Sequence, residues 1–172
     1  MGLVGNVIRG AVAGAVATAA MDAVWYRRYR AEGGDRGPLE WELSTEAPGF
    51  GEDAPAPARV GKLVADTLGV ALPDRAVAVT NDVVHWMTGI GWGTVAGLAV
   101  SVGGWRVPSL AIGVGTGVTA WGTSYAVLGP LGIYRPITDY DRSTLWQDLS
   151  AHLVYGTTLG AVLGAWRRCR RR

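Results

Sequence analysis

Four stretches of this chain, residues 3–26, 78–103, 109–128 and 145–166, are apolar, nearly free of charge and punctuated by glycine at four-residue spacing. A helix rises about 1.5 Å per residue, so about 20 residues match a hydrocarbon core about 30 Å thick. Residues four apart share one helix face, and glycine there lets two backbones approach closely where no hydrophobic effect drives helices together. Only 17 % of the 172 residues are charged, and there are 26 glycines and eight tryptophans against one phenylalanine. That balance suits membrane helices with interfacial indoles. The expected fold is all-α: one membrane domain spanning 1–172, a four-helix transmembrane bundle with the lipid bilayer as its solvent.

Between the spans the composition changes. Residues 27–57 are rich in Gly, Pro and acids and read as a hydrophilic loop, and the whole connection extends to residue 75. Within it, ARVGKLVADTLGVAL places Val60, Leu63, Val64, Leu68 and Ala71 at helical spacing, with Arg59, Lys62 and Asp66 facing elsewhere. Too short and too charged to span, it reads as an amphipathic helix lying on the membrane or on the bundle end. Trp105, Arg106, Val107 and Pro108 make a tight connection, and residues 130–144 form a second hydrophilic loop. The first span has a rival reading as a signal peptide, given the alanines near position 18; Asp22, Trp25 and Arg27 argue instead for an anchored helix end. A net charge of +2 with no basic stripe argues against nucleic-acid binding. The single cysteine, Cys169, excludes an intrachain disulfide and a thiolate metal cage.

The two histidines are where chemistry enters. His85 heads the series Gly89, Gly93, Gly97; His152 heads Gly156, Gly160, Gly164; Asp82 and Asp148 stand one turn ahead of each. With Gly10 and Gly14 in the first span and Gly113 and Gly117 in the third, this pattern suggests two parallel repeats aligned on the histidines. In an antiparallel bundle the Asp22 end of span 1 and the Ser124–Tyr125 end of span 3 reach the same face as Asn81, Asp82, His85, Asp148 and His152. Asp82–His85 and Asp148–His152 have spacings at which helical side chains meet. Ionisable groups at membrane depth are costly unless paired or hydrated, which turns them inward. Three readings follow: Asp–His pairs as helix-packing glue, a proton-sensitive or transport-related cavity, and a haem or divalent-metal site with His85 and His152 as ligands. No nucleophile elbow, HExxH, CxxC or phosphate loop supports an enzyme.

The segments AVAGAVATAAMDAVW, NDVVHWMTGIGWG and LGPLGIYRPITDYDRSTLWQDLSAHLVYG resemble the YagU-type bacterial inner-membrane proteins. The likeness covers about two-thirds of the chain; the 27–57 loop departs from it, carrying APAPAR where that family has a double-proline-arginine segment. The resemblance implies a multi-pass protein of the bacterial cytoplasmic membrane with unassigned activity, and brings no catalytic residues. Basic residues at the N-terminal side, Arg106 and the RRCRRR tail place both termini in the cytoplasm by the positive-inside rule. The glycine-rich faces also suggest a homo-oligomer or a partner within a membrane complex.

Overall fold

The computed structural model describes residues 3–102 and 107–169, and every regular element among them is helical. Four long helices dominate: α1 (Leu3–Ala31), α4 (Val77–Val102), α5 (Ser109–Leu128) and α6 (Arg142–Cys169). Two short ones, α2 (Pro38–Glu42) and α3 (Ala56–Thr67), lie in the first connection. The Trp105–Arg106 turn and the last three arginines lie outside the described residues.

Helices α1 and α6 outrun their apolar segments because their ends are set by capping, not by hydropathy. α1 continues to Ala31 and closes at Gly33, whose φ of +95° is costly for any residue with a Cβ. There the amide of Gly34 donates to the Tyr29 carbonyl at 2.9 Å. α6 begins three residues before the apolar run, after Asp141. The Asp141 carboxylate accepts the Thr144 amide at 2.9 Å and its hydroxyl at 2.7 Å, and these bonds hold it below the ordinary aspartate range.

In the packing α1 lies against both α4 and α6, α5 lies against α6, and a thinner α4–α5 contact closes the ring, leaving α4 and α6 diagonal. The two closest interfaces, α1–α4 and α5–α6, are built on glycine. A Cβ on Gly10 would lie 2.6 Å from the Gly93 carbonyl oxygen, one on Gly14 2.7 Å from that of Gly89, and one on Gly97 2.7 Å from Gly10 Cα. In the other pair, Gly156 meets the Gly113 carbonyl oxygen at 2.6 Å, Gly160 meets Leu110 Cα at 2.7 Å, and Gly117 stands against the His152 carbonyl. Gly164 is different: its nearest neighbour is the Ser109 Cβ at 3.6 Å, ordinary contact that does not require glycine.

These contacts correct the register between the two halves. Gly10 meets Gly93 as Gly113 meets Gly156, and Gly14 meets the Gly89 carbonyl as Gly117 meets that of His152. The packing counterpart of His152 is therefore Gly89, one turn from the histidine-on-histidine alignment. Backbone approach sets the register, and a histidine at the edge of the contact does not. In the packing register Asp22 corresponds to Tyr125 and His85 to Asp148.

The interior is small and the exterior large. Gly10, Ala13, Gly14, Ala17 and Thr18 form the buried stripe of α1, whereas Val4, Ile8, Val12 and Val16 form a stripe on its outer side. Val79, Val83, Met87 and Val95 of α4 and Leu110, Val118 and Val127 of α5 are likewise exposed. Leu159 and Thr18 are the largest fully buried side chains. Among the described residues two helical stretches, α1 and Asp74–Val100, which takes in most of α4, are long and apolar enough to cross a membrane.

Of the two placements open to the amphipathic segment, α3 takes the bundle: its Gly61 faces Thr80 and Val84 of α4. Arg59 donates from both terminal nitrogens, at 2.8 Å each, to the carbonyls of Ile133 and Gly132. This fork ties the two connections together over one end of the bundle.

Candidate functional site

Beneath those connections lies a cavity of about 850 Å³, walled by all four long helices, the α2 region, the start of α3 and Tyr134. The sequence-derived residues Asp22, Asn81, Asp82, His85, Asp148 and His152 all line it, as does Ser124. Tyr125 stands behind that wall, and its hydroxyl donates to Asp148 Oδ2 at 2.9 Å.

The pairing differs from that read along single helices. His85 Nε2 lies 2.8 Å from Asp22 Oδ1, a bond across the α1–α4 interface. Asp82, one turn before His85, instead accepts from the Asn81 amide at 3.2 Å. The reason is the glycine contact just above: with backbone against backbone at Gly14 and only the small Thr18 side chain against Gly89, α1 comes near enough for Asp22 to reach the imidazole. On α6 the expected i,i+4 pair does form, with His152 Nδ1 3.2 Å from Asp148 Oδ1 and 3.0 Å from the Asp148 carbonyl oxygen. The two halves thus place one polar pair each at corresponding positions, Asp22–His85 and Tyr125–Asp148. Asp22 is 8 % exposed. Among the described residues, its Oδ2, Asp82 Oδ2 and the Trp121 indole nitrogen are buried without a hydrogen-bond partner.

Several lining residues were hidden from sequence reasoning. Glu42 sits in the stretch read as a hydrophilic loop, yet α2 folds back so that the Trp86 indole donates to Glu42 Oε1 at 2.8 Å. Trp41 packs on Tyr26 and Tyr29, ring centroids 5.5 and 6.2 Å away. An aromatic and leucines inside an acidic loop, PLEWEL, were the available signal. Arg28 spans from α1 to α6, donating to the Gln147 carbonyl at 2.8 Å and the Ser150 hydroxyl at 2.7 Å, with its guanidinium 4.7 Å from the Trp25 ring centre. From α6, the buried Tyr155 donates to the Gly89 carbonyl at 2.6 Å, crossing the diagonal of the bundle. Burial, reinforced by the Asp148 charge, raises the Tyr134 phenol to about 12, so it faces the cavity as a protonated donor.

Burial also raises the Glu42 carboxyl above its ordinary value of 4.5; the Trp86 bond works against this and the Asp22 and Asp82 charges add to it. The folded chain therefore holds this proton more tightly than the unfolded chain. Its contribution to stability falls as pH rises from about 4.5 through the raised value. Glu42→Gln should flatten that part of the profile, checked by melting both proteins in detergent across this range. A variant with the native slope would count against the assignment.

The cavity carries five carboxylates, Asp22, Glu32, Glu42, Asp82 and Asp148, against one guanidinium, Arg28. Among the described residues no three His, Cys, Asp or Glu side chains converge as a metal site would require. Both histidines, the candidate axial or metal ligands, have one ring nitrogen engaged by Asp22 or by Asp148.

Comparison of the chain with protein-family models, curated proteins and solved structures gives no match.

Proposed function

We propose that this chain is a multi-pass membrane protein of the bacterial cytoplasmic membrane, of the YagU-like kind, whose embedded acidic cavity moves protons or a small solute in a pH-dependent manner. The observation that carries the proposal is the coincidence of an inverted surface with an interior polar site. Many valines, isoleucines and leucines face outward, while Ala, Gly and Thr make up the buried face of α1 and large side chains enter the core mainly from α6, as Tyr155, Leu159 and Leu163. Small residues at helix contacts are what lipid-facing helices require when solvent and side chain are equally apolar. Inside that shell, Asp22–His85 and Asp148–His152 border the same cavity. Ionisable groups in such surroundings mark ion and substrate pathways by default, and an imidazole next to a carboxylate is a group able to take up and release a proton near neutral pH. In this reading α5 and α6 also cross the membrane, although α6 carries Asp148, His152 and Arg142.

A second reading has its own support. The Asp22–His85 bond joins two helices that pack closely, so the pair also serves as packing glue.

Flux separates the two. Reconstituted in liposomes holding a pH-sensitive dye, the native protein should dissipate an imposed pH gradient faster than empty vesicles. His85→Ala that is folded, by its melting curve, should slow this by about tenfold or more, the usual scale for a positioned proton-transfer group. Equal rates for native protein, variant and empty vesicles would leave only the packing role.

A further inference from the structure

The wall of the cavity is chemically lopsided, and this says what kind of molecule it takes. Its charge is carboxylate, and its one guanidinium is already committed to α6 through Gln147 and Ser150 and to the Trp25 face. Among its uncharged lining residues six are aromatic, Trp25, Tyr29, Trp41, Trp92, Tyr134 and Tyr155, contributed by α1, α2, α4, α6 and the 129–141 connection, with small and aliphatic side chains between them. Aromatic rings present a negative face that attracts cations, most of all when water is excluded. A small hydrated inorganic ion would use the carboxylates and gain nothing from the rings. An apolar neutral molecule would use the rings and leave the carboxylates desolvated at a cost. A molecule with a positive centre inside an apolar body uses both.

Asp22 adds an independent indication. It is 8 % exposed, borders the cavity, and has one carboxylate oxygen bonded to His85 and the other without a partner. A buried anion left half satisfied is stabilised by a cation nearby. The volume, about 850 Å³, lies in the range that holds a drug-sized molecule, about 300–1,000 Å³.

We infer that the cavity binds an organic cation, an ammonium-type centre carried on an aromatic or aliphatic body, with Asp22 and Asp82 as its counter-charges and the tryptophan and tyrosine rings as its walls. This deepens the membrane-cavity proposal and rests on it, since it names the solute class of the same site. Proton coupling then follows from competition: Asp22 neutralises either a protonated His85 or an entering cation, and on cation entry His85 releases its extra proton to water and stays neutral, with Glu42 and Asp82 as the other acids in the same wall.

The test uses two ions of nearly identical shape and opposite charge, tetraphenylphosphonium and tetraphenylborate. Equilibrium dialysis of the full chain in detergent, with protein-free micelles subtracted, should show saturable binding of the phosphonium and none of the borate. Asp22→Asn should weaken phosphonium binding by about tenfold or more, and Asp82→Asn, which leaves the His85 bond in place, should weaken it in the same direction. Binding of both ions alike, or of neither, overturns the inference. So does phosphonium binding unchanged in both folded variants. An alkaline carbonate wash of membranes containing the chain reads the underlying proposal separately. Retention in the membrane without cation binding sinks the ligand class alone, whereas release with cation binding intact sinks the membrane reading alone.

Discussion

Gly14→Val is expected to prevent the native packing of α1 on α4, with a loss of about 3 kcal/mol or more. A Cβ there would lie 2.7 Å from the Gly89 carbonyl oxygen and about as close to Ile90 Cα and Gly93 Cα, at 3.0 and 3.1 Å. All three are backbone atoms of a helix, so nothing can rotate aside; the helices must separate. Separation breaks more than the local contact. The Asp22–His85 bond lies two turns farther along the same interface, and the Thr18 side chain that fills the space beside Gly89 is packed there too. Gly115→Ala is the matching control. Beyond its own helix turn nothing lies within 4 Å of its added Cβ, and alanine is the better helix former by about 1 kcal/mol, so that variant should be no less stable than the native chain. Thermal unfolding in detergent distinguishes them, and equal midpoints for Gly14→Val and Gly115→Ala would refute the interface.

His85→Leu is the second large effect, expected to cost about 2–3 kcal/mol. Removing one partner of a buried pair leaves the other charge uncompensated, which costs about 3–5 kcal/mol in a closed interior. The lower figure is expected because the imidazole is 27 % exposed to the cavity side. In the variant Asp22 would have no bonded oxygen, since its Oδ2 already lacks a partner. Asp22→Asn in the same background should recover much of the loss, because the stranded charge is gone. A double-mutant cycle should therefore give a coupling of about 1–3 kcal/mol; additive melting shifts would show that the two groups do not interact. The same cycle on Asp82 and His85 should give a clearly smaller coupling, since Asp82 bonds Asn81 and acts on the imidazole only through its charge. That contrast decides between the pairing along α4 that spacing suggests and the pairing across α1–α4 that the structure contains.

The residues of the site were largely readable from the sequence, but their partners were not. Asp22, Asp82, His85, Asp148 and His152 stood out because ionisable groups in apolar helices must be accounted for, and all five border one cavity. Helical spacing found Asp148–His152, a contact within one helix. It could not find Asp22–His85, which depends on how closely two helices approach. Glu42, Trp41 and Arg28 were missed because their neighbours in the chain are hydrophilic, and hydropathy describes a segment, not the place to which it folds back.

The sequence by itself determined the helical class, the four long segments and the stripe of small residues on α1, because those follow from composition and a period of 3.6. It also placed glycines where helices would meet. Only the tertiary structure decided the register of that meeting, which made Gly89 and not His85 the counterpart of His152, and turned two histidines on similar motifs into two different pairs. The physical reason is that van der Waals approach between backbones acts over tenths of an ångström. A sequence records which residues permit that approach, and the packed helices determine which of them use it.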